Sequence, residues 1–116
     1  QENINSTSFH HEIDESINWD TVPSTTKINI YRIIQEAILN INKYANAKNA
    51  SITITPIEEN TLKLVVSDDG KGFDLKSSKK GIGLKNMTER ITALRGELKI
   101  KSNVGKGTQI EAVFSI

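Results

Sequence analysis

The chain has 116 residues, 36% hydrophobic and 25% charged, with a formal net charge of +1 and no cysteine. That length allows one domain with one modest core. The composition excludes a disordered chain, and the lack of cysteine excludes a disulfide framework and thiolate chemistry.

No apolar run approaches the roughly 18 residues of a membrane span, and no signal peptide is visible. The lack of cysteine fits a cytoplasmic protein. The first residue, Gln1, is expected to mark a piece of a longer protein. Charge is unevenly placed. Residues 1–24 hold Glu2, Glu12, Asp14, Glu15 and Asp20 but no Lys or Arg. The densest basic stretch carries Lys71, Lys76, Lys79, Lys80 and Lys85 against Asp74. It reads either as a solvated loop or as a flexible collar around an anion. Its basic residues are not interleaved with aromatics, which argues against a nucleic-acid partner.

In chain order, residues 1–8 read as a disordered start and 9–116 as the folded domain, with an edge strand over 9–13. Pro23, Ser24 and Thr25 form a loop that runs into a helix. From Lys27 to Ala47 the apolar residues Ile30, Ile34, Ala37, Ile38, Ile41 and Ala45 recur at helical spacing, and Asn46–Asn49 closes that helix. Ile52, Ile54 and Pro56 alternate with threonines as in a strand. After a polar turn, Leu62, Leu64 and Val66 alternate again, giving a hairpin partner.

Asp68-Asp69-Gly70-Lys71-Gly72 breaks that strand. A polar stretch leads to Gly81-Ile82-Gly83 and a second helix with Leu84, Met87, Ile91 and Leu94 on one face, stopped by Gly96. Leu98 and Ile100 mark the next strand and Gly105-Lys106-Gly107 a turn. Ile110, Ala112, Phe114 and Ile116 mark the last strand. This order of helix, two strands, helix, two strands implies an α/β domain whose sheet is covered on one face by helices.

Several residues suit chemistry. Glu36, Asn40 and Lys43 share one stripe of the first helix, expected nearly opposite its apolar face. The stripe is either an exposed polar surface or a ligand face. An Asn oxygen suits Mg²⁺, a Glu one turn away can position water or another ligand, and a Lys can balance phosphate. The pentapeptide Asp68-x-Gly70-x-Gly72 reads as a turn, or as a carboxylate that accepts the adenine amino group beside glycines that let the backbone approach the base. Gly81-Ile82-Gly83-Leu84 is either a joining loop or a phosphate site at a helix start. It is neither a Walker A loop nor a dinucleotide fingerprint. Gly105-Lys106-Gly107-Thr108 reads as a hairpin turn, or as a place where the Thr108 hydroxyl reaches the base. His10 and His11 lack the spacing of a zinc site.

The order Glu36-x-x-x-Asn40, Asp68-x-Gly70-x-Gly72, Gly81-x-Gly83, Gly107-Thr108 resembles the boxes of the ATP-binding family shared by histidine kinases, Hsp90, MutL and gyrase. The wording YRIIQEAILNINKYANA and GIGLKNMTERITALRGELKIKSNVGKGTQI is similar to the catalytic domain of sensor histidine kinases of the NarL/LuxR-type branch, over residues 28–116. That resemblance implies the Bergerat-type fold, a two-layer α/β sandwich with a mixed sheet. It implies ATP and Mg²⁺ as ligands, with Asp68 on the adenine amino group and Thr108 nearby. Asn40 would ligate Mg²⁺, Glu36 would support the metal or polarise the acceptor, and Lys43 would approach phosphate. Gly81, Gly83 and Leu84 would lead the phosphates to the second helix.

The resemblance also implies a parent that is a homodimer, with dimerisation helices, a phospho-accepting histidine and a response regulator as partner, and it allows a membrane anchor. The helices and the acceptor histidine are not among these residues, so the piece itself is expected to be a monomer. Tyr44 stands where this branch often has His. Other readings are an anti-sigma-factor type serine kinase, a non-enzymatic nucleotide-binding module, and a clamp-type ATPase. The wording after Gly83 disfavours the first, and the full set of ligands disfavours the second. The short lid that the resemblance implies between Gly72 and Gly81 disfavours the third.

Overall fold

The computed structural model describes residues 7–72 and 84–116. Their order is β1 (Ser8–Ile13), a 3-10 turn (Trp19–Thr21), α1 (Ser24–Asn40), a π-helical turn (Ile41–Ala45), β2 (Asn49–Glu58), β3 (Thr61–Asp68), α2 (Leu84–Ala93), β4 (Glu97–Asn103) and β5 (Gly107–Ser115). The five strands form one sheet in the order β1-β2-β3-β5-β4. β1 runs parallel to β2, and the other three pairings are antiparallel. A parallel neighbour requires a crossover, and α1 supplies it between β1 and β2. α2 likewise returns the chain from β3 to β4, with β5 inserted between those two strands.

Strand alternation decides which face is covered. Ala50, Ile52 and Ile54 of β2, Leu62, Leu64 and Val66 of β3, and Ile110, Ala112 and Phe114 of β5 are all buried. The residues between them on β3 and β5 are only half-buried. The helices cover that one face with Ile30, Ile33, Ala37 and Ile41 from α1 and its π turn, and Met87 and Ile91 from α2. The expected two-layer α/β sandwich with a mixed sheet is the observed architecture.

Three local expectations change. α1 begins at Ser24, three residues before Lys27, because Pro23 presets φ at −58° and its carbonyl accepts the Lys27 N–H at 3.0 Å. The helix also does not continue as α to Ala47. It becomes π-helical at Ile41, and Asn46 ends it in the left-handed region at φ 52°.

The apolar face is also centred differently. Ile33, passed over in the sequence reading, is 0% exposed, whereas Ile34 and Ile38 only flank the core. At about 100° per residue Asn40 lies roughly 20° from Ile33 around the helix. The Glu36/Asn40 stripe therefore borders the buried face rather than opposing it, and both residues are half-buried.

The end of α2 shows a fourth difference, in which residue turns the chain. Gly96 N–H reaches Ile91 C=O at 2.9 Å and Arg95 N–H reaches Thr92 C=O at 2.9 Å. This is a Schellman closure, and its left-handed residue is Arg95 (φ 61°) rather than the glycine.

Candidate functional site

The topology gathers the candidate residues at one end of the sheet. β3 ends there at Asp68, β4 ends at Asn103, and β5 and β2 begin there. Because β2 starts at that end, α1 and its π turn finish there, bringing Asn40 and Lys43. α2 (Leu84–Ala93) closes at Gly96, next to β4's first residue, Glu97, at the far end, so α2 starts toward the site end of the sheet.

On the helix-facing side the register sets out rows across the sheet. Ile52, Val66, Ile110 and Ile100 form one row, and Ile54, Leu64, Ala112 and Leu98 another. The row at the site end is Ala50, Asp68, Thr108 and Ser102. It continues the same alternation with polar side chains in three of four places. Sequence reasoning selected Asp68 and Thr108 and missed Ser102. Extending the alternation of Leu98 and Ile100 by two residues finds it.

The row is hydrogen-bonded. The Gly70 N–H donates to Asp68 Oδ1 at 2.8 Å. The Ser102 hydroxyl lies 2.7 Å from Thr108 Oγ1 and donates to the Gly107 carbonyl at 3.2 Å. Burial holds the Asp68 carboxyl above the usual aspartate range, against the backbone hydrogen bonds from Gly70 and Thr108, and the charge of Asp69 adds to the rise. Desolvation outweighing hydrogen bonds to the charged form is a mark of a functional carboxylate. An open depression of about 200 Å³ at this end of the sheet is lined by Ser67, Lys101, Asn103 and Gln109 of the helix-free face as well as by Asp68, Ser102 and Thr108, so it opens across the sheet end rather than on the helix-facing side alone.

The chain after Asp68 is packed backbone against backbone. A Cβ on Gly70 would strike the Ala45 carbonyl, and the Lys71 N–H donates to that same carbonyl at 2.7 Å. Gly70 thereby joins the end of β3 to the π turn that follows Asn40. Gly72 sits at φ 63° against the carbonyls of Asn103 and Gly107, and the Gly105 N–H donates to the Lys71 carbonyl. The glycines expected to admit a base are thus already needed for these contacts within the protein.

Asp69 faces elsewhere. Its Oδ1 accepts from the N–H groups of Lys48 and Asn49, each at 2.9 Å, and its Oδ2 from the Asn49 amide at 3.2 Å. Asn49's hydrogen bonds, backbone first and then side chain, hold its carboxyl below the usual range. This clamp, absent from the sequence reading, ties the start of β2 to the end of β3.

Glu36 and Asn40 stand one turn apart on α1, both half-buried, and Lys43 is exposed on the π turn. Lys43 is set off from the other two by the wider spacing of that turn. Ala45 is what links this helix end to Asp68 and Gly70. Gly81 and Gly83 lie outside the described residues, as do the side chains of Tyr44 and Leu84.

Asn40 and Glu36 offer hard oxygen donors, which suit Mg²⁺ better than softer metals. Among the described residues no three His, Cys, Asp or Glu side chains converge into a metal cage. The donor set therefore suits a cation that brings phosphate oxygens and water with it. Among the described residues no helix is long and apolar enough to cross a membrane.

A polar row closing one end of a one-sided mixed sheet, with Asp-x-Gly-x-Gly at its centre, is the arrangement of an ATP-binding α/β sandwich. The chain belongs to the family of histidine kinase-, DNA gyrase B- and HSP90-like ATPases, whose profile matches residues 25–116. Its relatives narrow this to the sensor histidine kinases of the NarL-type branch. It is 44% identical over 94 residues to the sensor histidine kinase YdfH of Bacillus subtilis, covering 78% of this chain and 23% of that protein. It is 35% identical over 105 residues to the sensor histidine kinase LiaS of the same organism, covering 86% and 29%.

Among solved structures, the blue-light activated histidine kinase of Erythrobacter litoralis superposes with a TM-score of 0.81 at 18% identity, over 95% of this chain and 35% of that one. The mycobacterial sensor histidine kinase MprB gives 0.69 at 15% identity, over 95% and 82%. At those identities the likeness is one of fold. The chain spans about a quarter of the length of the curated relatives it matches. It is a histidine-kinase-type ATP-binding domain.

Proposed function

We propose that this domain binds ATP with Mg²⁺ and presents the γ-phosphate to a histidine on a dimerisation domain elsewhere in its parent protein. The observation that carries the reading is the Asp68 carboxylate beside Thr108 in the polar row that ends the otherwise apolar inner face of β2, β3, β5 and β4. An ionised Asp68 accepts a hydrogen from the adenine amino group and repels the carbonyl that guanine carries there.

Asn40 and Glu36 would hold Mg²⁺ together with phosphate oxygens and water. When bound, the ion neutralises phosphate charge. Glu36 alternatively polarises the acceptor. Lys43, exposed beyond Asn40, approaches the phosphates, and Gly81 and Gly83 lead them toward the free N–H groups at Leu84, where α2 starts. In the transfer an imidazole nitrogen bonds to the γ-phosphorus, the bond to the β–γ bridging oxygen breaks, and ADP leaves. The domain's part is to position the nucleotide and stabilise its charge.

The parent is read as a homodimeric kinase, membrane-anchored with this domain in the cytoplasm, that passes its phosphoryl group to a response regulator. The isolated domain is read as a monomer. Calorimetric titration with ATP, ADP and GTP in the presence of Mg²⁺ tests the first half, and adenine-selective binding is expected. A folded chain that binds no adenine nucleotide overturns the reading. Incubating the parent with ATP tests the second half, since an active parent that forms no phosphohistidine removes the transfer step.

A further inference from the structure

We infer that Ser102 is a positioning residue that fixes which way the Thr108 hydroxyl points, and so sets the preference for a 6-amino over a 6-oxo purine. The inference rests on the nucleotide reading above. Ser102 is 7% exposed, one of two buried polar residues among those described. It sits at the end of β4's inner face, where Leu98 and Ile100 predict an apolar side chain, and it pairs in register with Thr108.

A hydroxyl has one proton and two lone pairs. Ser102 donates its proton to the Gly107 carbonyl, a group that can only accept. The arrangement that satisfies both this contact and the one to Thr108, 2.7 Å away, has Ser102 accept from Thr108. The Thr108 proton is thereby committed to Ser102, and Thr108 turns lone pairs toward the ligand. Its register neighbour Asp68 is also an acceptor when ionised. The base end of the site is then lined by acceptors, which suits an amino group with two hydrogens and opposes a carbonyl. Without Ser102 the Thr108 hydroxyl rotates freely and can donate to a 6-oxo group.

The test compares ATP with inosine triphosphate, which carries a 6-oxo group and a hydrogen on N1 where ATP has the 6-amino group and a bare N1. The N1 change is common to every variant and drops out when their ratios are compared. Affinities of both for the 116-residue chain are measured by calorimetry for wild type, Ser102→Ala, Ser102→Thr and Thr108→Val. Ser102→Ala should lower the ATP-to-inosine-triphosphate affinity ratio by roughly two- to tenfold, the range of one neutral hydrogen bond. Ser102→Thr, which keeps the hydroxyl, should restore it. A purely structural role would weaken both nucleotides alike and leave the ratio where it was. Thr108→Val should lower the ratio to a similar extent with Ser102 intact, which keeps the inference testable if Ser102→Ala does not fold. A ratio unmoved by Ser102→Ala, or by Thr108→Val where Ser102→Ala does not fold, overturns the role of Ser102 while leaving ATP binding intact. A wild-type chain that does not prefer ATP overturns both this inference and the nucleotide reading.

Discussion

Asp68 and Asp69 are neighbours in the sequence and belong to two different regions of the molecule. Asp68 ends the helix-facing side of β3, in a row with Thr108 and Ser102. Asp69 leaves the strand and clamps the start of β2 through three hydrogen bonds. Burial raises the first carboxyl, and hydrogen bonds lower the second. The sheet end thus contains one acid that costs stability when charged and one that contributes it. Tolerating the first makes sense where a ligand is to supply the missing hydrogen bonds. The second needs no ligand, because Lys48 and Asn49 already satisfy it.

The largest expected effect is one that abolishes the distinction. Gly107 adopts φ 85°, and a Cβ there would strike the Asp68 carbonyl. Gly107→Ala should cost about 1–3 kcal/mol from backbone strain alone, read from urea unfolding. It should weaken ATP binding as well, since the displaced backbone carries Asp68 and Thr108. An unchanged unfolding midpoint would show that the close approach at Gly107 is not as described.

Separating the two regions is the next largest effect. Asp68→Asn should weaken ATP binding by roughly ten- to a hundredfold, the equivalent of about 1.5–3 kcal/mol for a hydrogen bond to a charged group. Its unfolding free energy should not fall, because the substitution removes a half-buried charge. Equal losses of stability and affinity would mean that Asp68 serves the fold, as Asp69 does.

Much of this was legible in the sequence. The alternation of Leu62, Leu64 and Val66, and of Ile110, Ala112 and Phe114, gives the covered face directly, because a strand offers only two sides. The helix was harder. Ile33 and Ile34 are adjacent, so periodicity alone permits two centres for the apolar face, and only packing against the sheet selects Ile33. That choice moves Glu36 and Asn40 from a surface stripe to the border of the core. The π turn after Asn40 leaves no mark in composition. In the Asp-Asp pair, Asp68 was chosen by its spacing to Gly70 and Gly72. The partners of Asp69 lie about twenty residues earlier, at Lys48 and Asn49, where no local pattern points to them. Ser102 was findable, as a polar residue at an apolar position of the last hairpin.

The smallest expected effect sharpens the comparison through pH. Asp69 has its folded-state pKa below the ordinary value of 3.8. Its stabilisation is therefore present above that value and is lost as pH falls through the folded pKa. Asp68 has its folded-state pKa above 3.8. The folded chain then holds the proton more tightly than the unfolded one, so stability falls as pH rises from 3.8 to the raised pKa and is level beyond it. Urea unfolding from about pH 3 to pH 7 should show opposite trends in two variants. Asp69→Ala should be less stable than wild type at neutral pH, with the gap closing in acid. Asp68→Asn should gain on wild type as pH rises, until the raised pKa is passed. ATP affinity should also decline on acidification at a higher pH than an ordinary aspartate would give, because only ionised Asp68 accepts the amino hydrogen. If both variants drift the same way with pH, the two carboxylates share one environment, and the division between a ligand-facing acid and a structural one is wrong.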